Sequence, residues 1–394
     1  MRTTAQILRD YRGPALFSFG FRPFFLLAAL WAVLAVPPWI AAYLGHGGPV
    51  LADVFTRDWH AHEMLFGYTG AVVVGYMTVA GANWTGHFPV AGRPVVVLVA
   101  LWLAGRVAML AQPVLGPIAA VIEAAFLAVF AAALWREQLA ASNWRSVPPC
   151  IVLTLLALAN IGFHFGLPQA ERAAIALITF MIAMMGGRLV PSFTRNWFAR
   201  NRILPEPASQ GLPDRIALAL TGAGLALWVL WPEARIGAPV LILGGTGLVW
   251  RLLRWRGWAA AREGMVVILH LGYLWSAAGL VLLGAAVLWP RLVPQTAALH
   301  ALTAGGIGTM TLAMMTRTSL SHTGRPREAD RTTLALYALI VIAALARVLA
   351  GFVPEAWLLI LSSLSWSLAF GLFVLAYGPI LSRPMQKARR ARKP

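Results

Sequence analysis

Twelve apolar runs fill most of this chain, and a run of roughly 20 residues crosses about 30 Å of hydrocarbon when helical. They fall near 20–44, 59–82, 94–112, 115–135, 147–167, 170–189, 213–231, 234–250, 264–289, 296–316, 332–353 and 355–381. Lipid offers no hydrogen bonds, so such runs satisfy their backbone groups internally, as helices. The expected fold class is therefore an all-α polytopic membrane protein of about twelve transmembrane helices. Composition agrees: 59% of residues are hydrophobic, 12% are charged, and mean hydropathy is +0.72. A soluble domain would leave too much of that surface wet. Pro37-Pro38 predicts a kink in the first span.

The net charge of +18 excludes little until its placement is read. Lys and Arg are dispersed through short loops, which argues against nucleic acid as a partner and for a lipid bilayer. Twenty-five of the 32 fall at the two ends of the chain and in alternate connectors, and four in the opposite set. The positive-inside rule then predicts both termini in the cytoplasm. The run Lys387-Ala388-Arg389-Arg390-Ala391-Arg392-Lys393 suits an anionic inner leaflet. Cys150 is the single cysteine, so no intrachain disulfide forms. The first apolar run lacks a cleavage pattern and reads as a retained span. The expected organisation is one transmembrane domain, 1–394. Its halves, about 1–190 and 213–394, are joined by a cytoplasmic loop, 191–212.

Three arginines fall inside spans: Arg22, near enough to the cytoplasmic face to snorkel, and the deeper Arg106 and Arg347. A buried Arg costs roughly 2.5–3.5 kcal/mol on insertion scales, so each of the deeper pair needs an acidic, carbonyl or anionic partner. The alternative is a structural clamp on a helix end.

Of eight histidines, four share one level when threaded through this topology. His60 and His62 open span 2, His164 closes span 5, and His300 opens span 10. Neutral imidazole is a good ligand for haem iron and copper. In His60-Ala61-His62 the side chains diverge by about 200° on a helix, which suits two neighbouring centres better than one ion. The competing reading is a set of interfacial histidines wetted by headgroups. His270 lies near the other face, beside Gly272, which leaves room for a flat ligand or a close helix. Met77, Met184, Met185, Met310, Met314 and Met315 share that side, with His322 just beyond. They are either a Cu(I) environment or flexible packing. His46 and His87 read as solvated loop residues. Spans 2, 6 and 10 each end in a polar segment, at Asn83–His87, Pro191–Asn196 and Thr316–His322. This weak echo is compatible with three pseudo-repeated four-helix units.

Specific segments carry a resemblance. Phe19-Gly20-Phe21-Arg22-Pro23-Phe24-Phe25, Trp59-His60-Ala61-His62-Glu63-Met64-Leu65-Phe66-Gly67 and Asn83-Trp84-Thr85-Gly86 resemble the NnrS family. So do Leu269-His270-Leu271-Gly272-Tyr273 and the stretch from His300-Ala301-Leu302-Thr303 to His322-Thr323-Gly324-Arg325. The resemblance implies a multi-pass protein of the bacterial inner membrane that holds haem b and copper and serves the nitric-oxide response. Its motif histidines fall on His60, His62, His270, His300 and His322, while His164 lies outside them. It does not divide the histidines between haem and copper. A looser likeness to haem–copper oxidases stays at the level of analogy, because their adjacent His-His copper pair is absent.

The leading expectation is a haem and copper protein that binds or reduces nitric oxide in nitrosative-stress defence or denitrification. Cofactor contacts would come from His60, His62, His270, His300 and Arg106, and metal contacts from these histidines with His164 and His322. Glu63 and Glu123 are the acids inside or at the edge of a span early in the chain. Glu63, beside the cluster, is the candidate catalytic residue, as a proton or structural partner, and a quinol or other donor would supply electrons. The alternatives are a copper or small-molecule transporter, or a non-catalytic protector of iron centres.

Overall fold

The structure is a computed structural model that describes residues 3–86, 91–142, 144 and 147–386. His87 and the basic run 387–393 lie outside the described residues. Among the described residues there is no strand. Eleven helices among them are long and apolar enough to cross a membrane. They are α1 (Phe21–Tyr43), α2 (Arg57–Trp84), α3 (Arg93–Leu110), α4 (Pro117–Ala141), α5 (Val147–His164), α6 (Pro168–Asn201), α7 (Leu212–Leu230), α9 (Gly264–Leu288), α10 (Gln295–Ser321), α11 (Arg331–Phe352) and α12 (Ala356–Ser382). The twelfth, α8 (Gly237–Trp255), is as long as α7 but carries Arg251 and Arg254. Its glycines let it run closely alongside both neighbours. Cβ atoms on Gly224 of α7 and Gly244 of α8 would approach the partner backbone to 3.0 Å, and one on Gly245 would approach Ala277 O of α9 to 2.6 Å. Such small-residue contacts replace the hydrophobic drive that lipid removes. The result is a multi-pass membrane protein whose outward residues, such as Leu34, Val107, Val121, Leu158, Leu243 and Leu375, are exposed and apolar.

Local signals place the ends. Thr56 caps α2 by accepting from Trp59 N at 3.1 Å, and Asp330 caps α11 by accepting from Thr333 N at 2.8 Å. Pro stands in the first turns of α3, α4, α6 and α7. α1 continues as helix through Pro37 and Pro38. α6 extends beyond the apolar run that the sequence marks, through Pro191 to Asn201. The polar residues end the hydrophobic stretch but not the helix, since Asn196, Ala199 and Arg200 are exposed.

Three crossings sit at the centre. α2, α6 and α10 are the most buried and touch one another, and a ring closes around them, with α12 packed on α1, α4 on α5 and α8 on α9. Each central helix contains a π-helical segment, at Glu63–Tyr68, Ile182–Gly186 and Ala301–Gly308. A π turn disturbs the regular i→i−4 pattern and changes which carbonyls need partners. Here Trp102 Nε1 donates to Gly67 O at 3.0 Å and Thr69 Oγ1 to Met64 O at 2.7 Å. Arg251 Nη1 and Tyr273 OH donate to Ala183 O at 3.1 and 3.2 Å. Every fourth crossing thus repeats one device, in keeping with three four-helix units.

The first and last described helices meet at one end of the bundle. Thr4 N donates to Gly86 O at 2.7 Å, and Arg22 Nη1 donates to Leu381 O and Arg383 O at 2.9 and 2.7 Å. This is the terminal end; the other is the distal end. Gly272 of α9 marks a close seam against α10, where a Cβ would sit 3.0 Å from Met310 N and 3.2 Å from its Cα. Backbone cannot step aside there. Gly272→Val is expected to cost about 1–3 kcal/mol through overpacking, read as a lowered thermal midpoint in detergent.

Candidate functional site: a distal cavity beside a buried charge cluster

His60 and His62 leave α2 on opposite sides. His60 faces a cavity of about 380 Å³ between α1, α2, α6, α10, α11 and α12, and His300 of α10 lines the same space. The Trp39 ring stacks on His60 with centroids 4.8 Å apart and planes inclined by 13°. His300 Nδ1 lies 2.7 Å from Thr296 O; a carbonyl only accepts, so Nδ1 carries the hydrogen and Nε2 keeps its lone pair. His60 Nδ1 is buried without a partner. Two guanidiniums share the wall. Arg57 is held by Glu171 at 2.5 and 2.7 Å and by Asp58 at 3.0 Å. Arg347 makes no hydrogen bond or ion pair among the described residues.

His62 points instead into a closed polar cluster between α2, α3, α4 and α5. Its Nδ1 is 3.0 Å from Glu63 Oε1, and its Nε2 is 3.2 Å from Glu123 Oε2 and 3.1 Å from Asn160 Oδ1. Arg106 bridges the two acids, donating to Glu63 Oε2 and Glu123 Oε1 at 2.6 Å each. Asn160 Nδ2 donates to Glu123 Oε2 at 2.8 Å, and His164 Nε2 lies 3.1 Å from that same oxygen. His62, Glu63, Glu123 and Asn160 are fully buried, and Arg106 is 3% exposed. The guanidinium also lies over Trp102 at 5.6 Å and Trp31 at 6.0 Å. Gly67 leaves room for it, because a Cβ there would run into Arg106 Nη1. Arg106 thus has the acidic partner that its depth demands.

The terminal-end residues are not gathered with these. His270 donates Nδ1–H to Val266 O at 3.0 Å, and its buried Nε2 has no partner. Its ring meets Trp255 edge-on at 6.4 Å. Gly272 serves the α9–α10 seam described above. His322 is exposed and packs near Phe19 and Phe21, with ring centroids 6.0 and 5.8 Å away. Met181, Met185, Met310 and Met314 line a separate small cavity of about 80 Å³ that no histidine lines. Met77 and Met315 are core residues, fully buried. A second charged cluster holds α7, α8 and α9 together. There Arg251 Nε donates to Asp214 Oδ1 at 2.9 Å, Arg251 Nη1 to Tyr273 OH at 2.6 Å, and Arg254 Nη1 to Asp214 Oδ2 at 2.7 Å.

The sequence pattern described as NnrS protein matches residues 15–385, which is nearly the whole chain. The chain belongs to the NnrS family. Membership places it among membrane proteins of the nitric-oxide response, a metal-associated family. No curated protein matches the chain. The NnrS segment Trp59–Gly67 supplies the cavity's His60, the cluster's His62 and Glu63, and most of the first π turn. The segment Phe19–Phe25 supplies Arg22, which anchors the C-terminal carbonyls at the terminal end.

Several functional candidates escaped the sequence reading. Glu123 stood out as an acid within a span, but its place beside His62, some sixty residues away, had no local signal. Asn160, alone among apolar residues of α5, carried a similar faint signal. Arg251 looked like a loop cation, because it stands near a span end next to Arg254.

Proposed function

We propose that the distal cavity is the site of a b-type haem, and that the protein binds nitric oxide there in nitrosative-stress defence or denitrification. The observation that carries this reading is Arg347, a guanidinium with no hydrogen bond or ion pair among the described residues, on the wall of a cavity that two imidazoles also line. An unpaired cation at this depth is costly, and a propionate carboxylate is the kind of anion that relieves it. The cavity volume falls within the range of about 300–1,000 Å³ usual for small-molecule sites. The donors fit as well. Thr296 fixes His300 in the tautomer with Nε2 free, and His60 Nδ1 lacks a partner.

A haem held here by the free nitrogens of His300 or His60 would supply an iron able to bind a diatomic ligand. The chain supplies the rest. Trp39 holds the His60 ring in plane, and the Arg57–Glu171 pair closes the distal rim. Glu63 is engaged at both carboxylate oxygens, by His62 and by Arg106, so its part is to orient them. The bilayer is the bacterial inner membrane, with both chain ends cytoplasmic and the cavity toward the opposite face. Electrons come from a quinol or another donor, and copper is a second metal of the same protein.

The visible spectrum of purified protein tests this. The wild type is expected to show a Soret band that shifts on addition of nitric oxide. His60→Ala and His300→Ala are expected to lose or strongly diminish it, while His322→Ala, whose ring is exposed, keeps it. A wild type without haem would move the reading to transport.

A further inference from the structure

We infer that His62 Nε2, Glu123 Oε2 and His164 Nε2 form a site for one divalent first-row transition ion at the junction of α2, α4 and α5. The site names the second metal of the reading above, but its geometry does not involve the distal cavity. None of its three residues lines that cavity.

The donors converge. Glu123 Oε2 lies 3.2 Å from His62 Nε2 and 3.1 Å from His164 Nε2, and all three atoms lie within 4.8 Å of one another. Ligands on a tetrahedral ion at 2.0–2.2 Å stand about 3.3–3.6 Å apart, so a modest side-chain movement seats one. The pattern around His62 also asks for a cation. Nδ1 faces the Glu63 carboxylate, which only accepts while ionised, so Nδ1 carries a hydrogen. Nε2 then faces two more acceptors, Glu123 Oε2 and Asn160 Oδ1. With Nε2 bare, three electron-rich atoms meet with nothing positive between them. The charge count agrees, because two buried carboxylates share a single arginine. A bound cation fills the gap, and so does a second proton on His62. His164 favours the metal, since it brings another imidazole nitrogen to the one oxygen that His62 and Asn160 already approach.

The surroundings match those of metal histidines generally. Glu63 accepts from the far nitrogen of His62, and Arg106 fixes Glu63 and Glu123 together, an outer shell that sets tautomer and ring orientation. The His164 side chain is 9% exposed at the distal end of α5, which gives the ion a route in. Two imidazoles and a carboxylate, without sulfur, select a borderline divalent ion over soft Cu(I). Three protein ligands also leave coordination positions open. The methionine-lined cavity toward the terminal end is then packing and not the metal store.

The test is metal uptake by purified full-length protein stripped with a chelator and titrated with Co²⁺ or Cu²⁺. One tightly bound equivalent per chain is expected, with nitrogen hyperfine structure from two imidazoles in the Cu²⁺ resonance. His164→Ala should lose that equivalent while keeping its haem absorption, and His164→Gln guards against misfolding. Glu63→Gln, a positioning change, should retain the site with affinity weakened about 10- to 100-fold. The proposal is overturned if wild type takes up no tight ion, which would leave His62 simply doubly protonated. It is equally overturned if both His164 variants bind as wild type does. Metal uptake by protein that lacks haem would remove the cavity reading and leave this site standing.

Discussion

Replacing Arg106 by Met is expected to cost about 3–5 kcal/mol of stability, the penalty for breaking a buried ionic network by removing one partner. Glu63 and Glu123 would face each other in hydrocarbon without the guanidinium that now holds both at 2.6 Å. Domains have only about 5–15 kcal/mol in hand, so the variant should lose much of its folded yield. The cause is checkable by rescue. Glu63→Gln and Glu123→Gln added to Arg106→Met remove both orphaned charges, and most of the thermal midpoint should return, because neutral replacement of a whole buried network is often tolerated. A single Arg106→Met that melts like wild type would show that the cluster is not the clamp between α2, α3 and α4.

The second large effect separates ligand binding from folding. Arg347→Met removes a guanidinium that makes no hydrogen bond or ion pair among the described residues, so the haem-free protein should be no less stable and should gain where the buried cation was a burden. Haem affinity should instead fall by at least about thirtyfold, the equivalent of roughly 2 kcal/mol for a lost buried charge partner. Haem content on purification and the midpoint of haem-free protein read the two halves separately. Full haem with a lowered midpoint would make Arg347 a structural residue and withdraw the cavity's main support.

The sequence revealed the crossings readily because lipid permits one solution for an apolar run of that length. The expected span at 264–289 and the observed Gly264–Leu288 differ by one residue. Where polar residues enter, the rule weakens. α6 runs on to Asn201 because a helix leaving the bilayer has water for its exposed side. The site was legible in part. A spacing of two in His60-Ala61-His62 fixes the divergence of the rings from helical geometry alone, and the structure shows them on opposite sides. What faces each ring could not be read, because Glu123, Asn160 and His164 come from α4 and α5 and meet His62 only through tertiary packing. The six methionines looked like a group along the sequence, yet packing sends Met77 and Met315 into the core. The π segments were also hidden. No composition marks them, since their glycines resemble any small-residue seam.

Those segments carry a mechanical consequence. In a regular helix, adding or removing one residue swings everything beyond it by about 100°. A π turn absorbs such an offset locally, so the two halves of α2 are aimed independently. Below Glu63–Tyr68, α2 keeps its register against the core; above it, the His60 and His62 pair can be dialled to face its two chambers. The same joint recurs in α6 and α10, at Ile182–Gly186 and Ala301–Gly308, so all three central helices can aim their distal turns apart from their terminal turns.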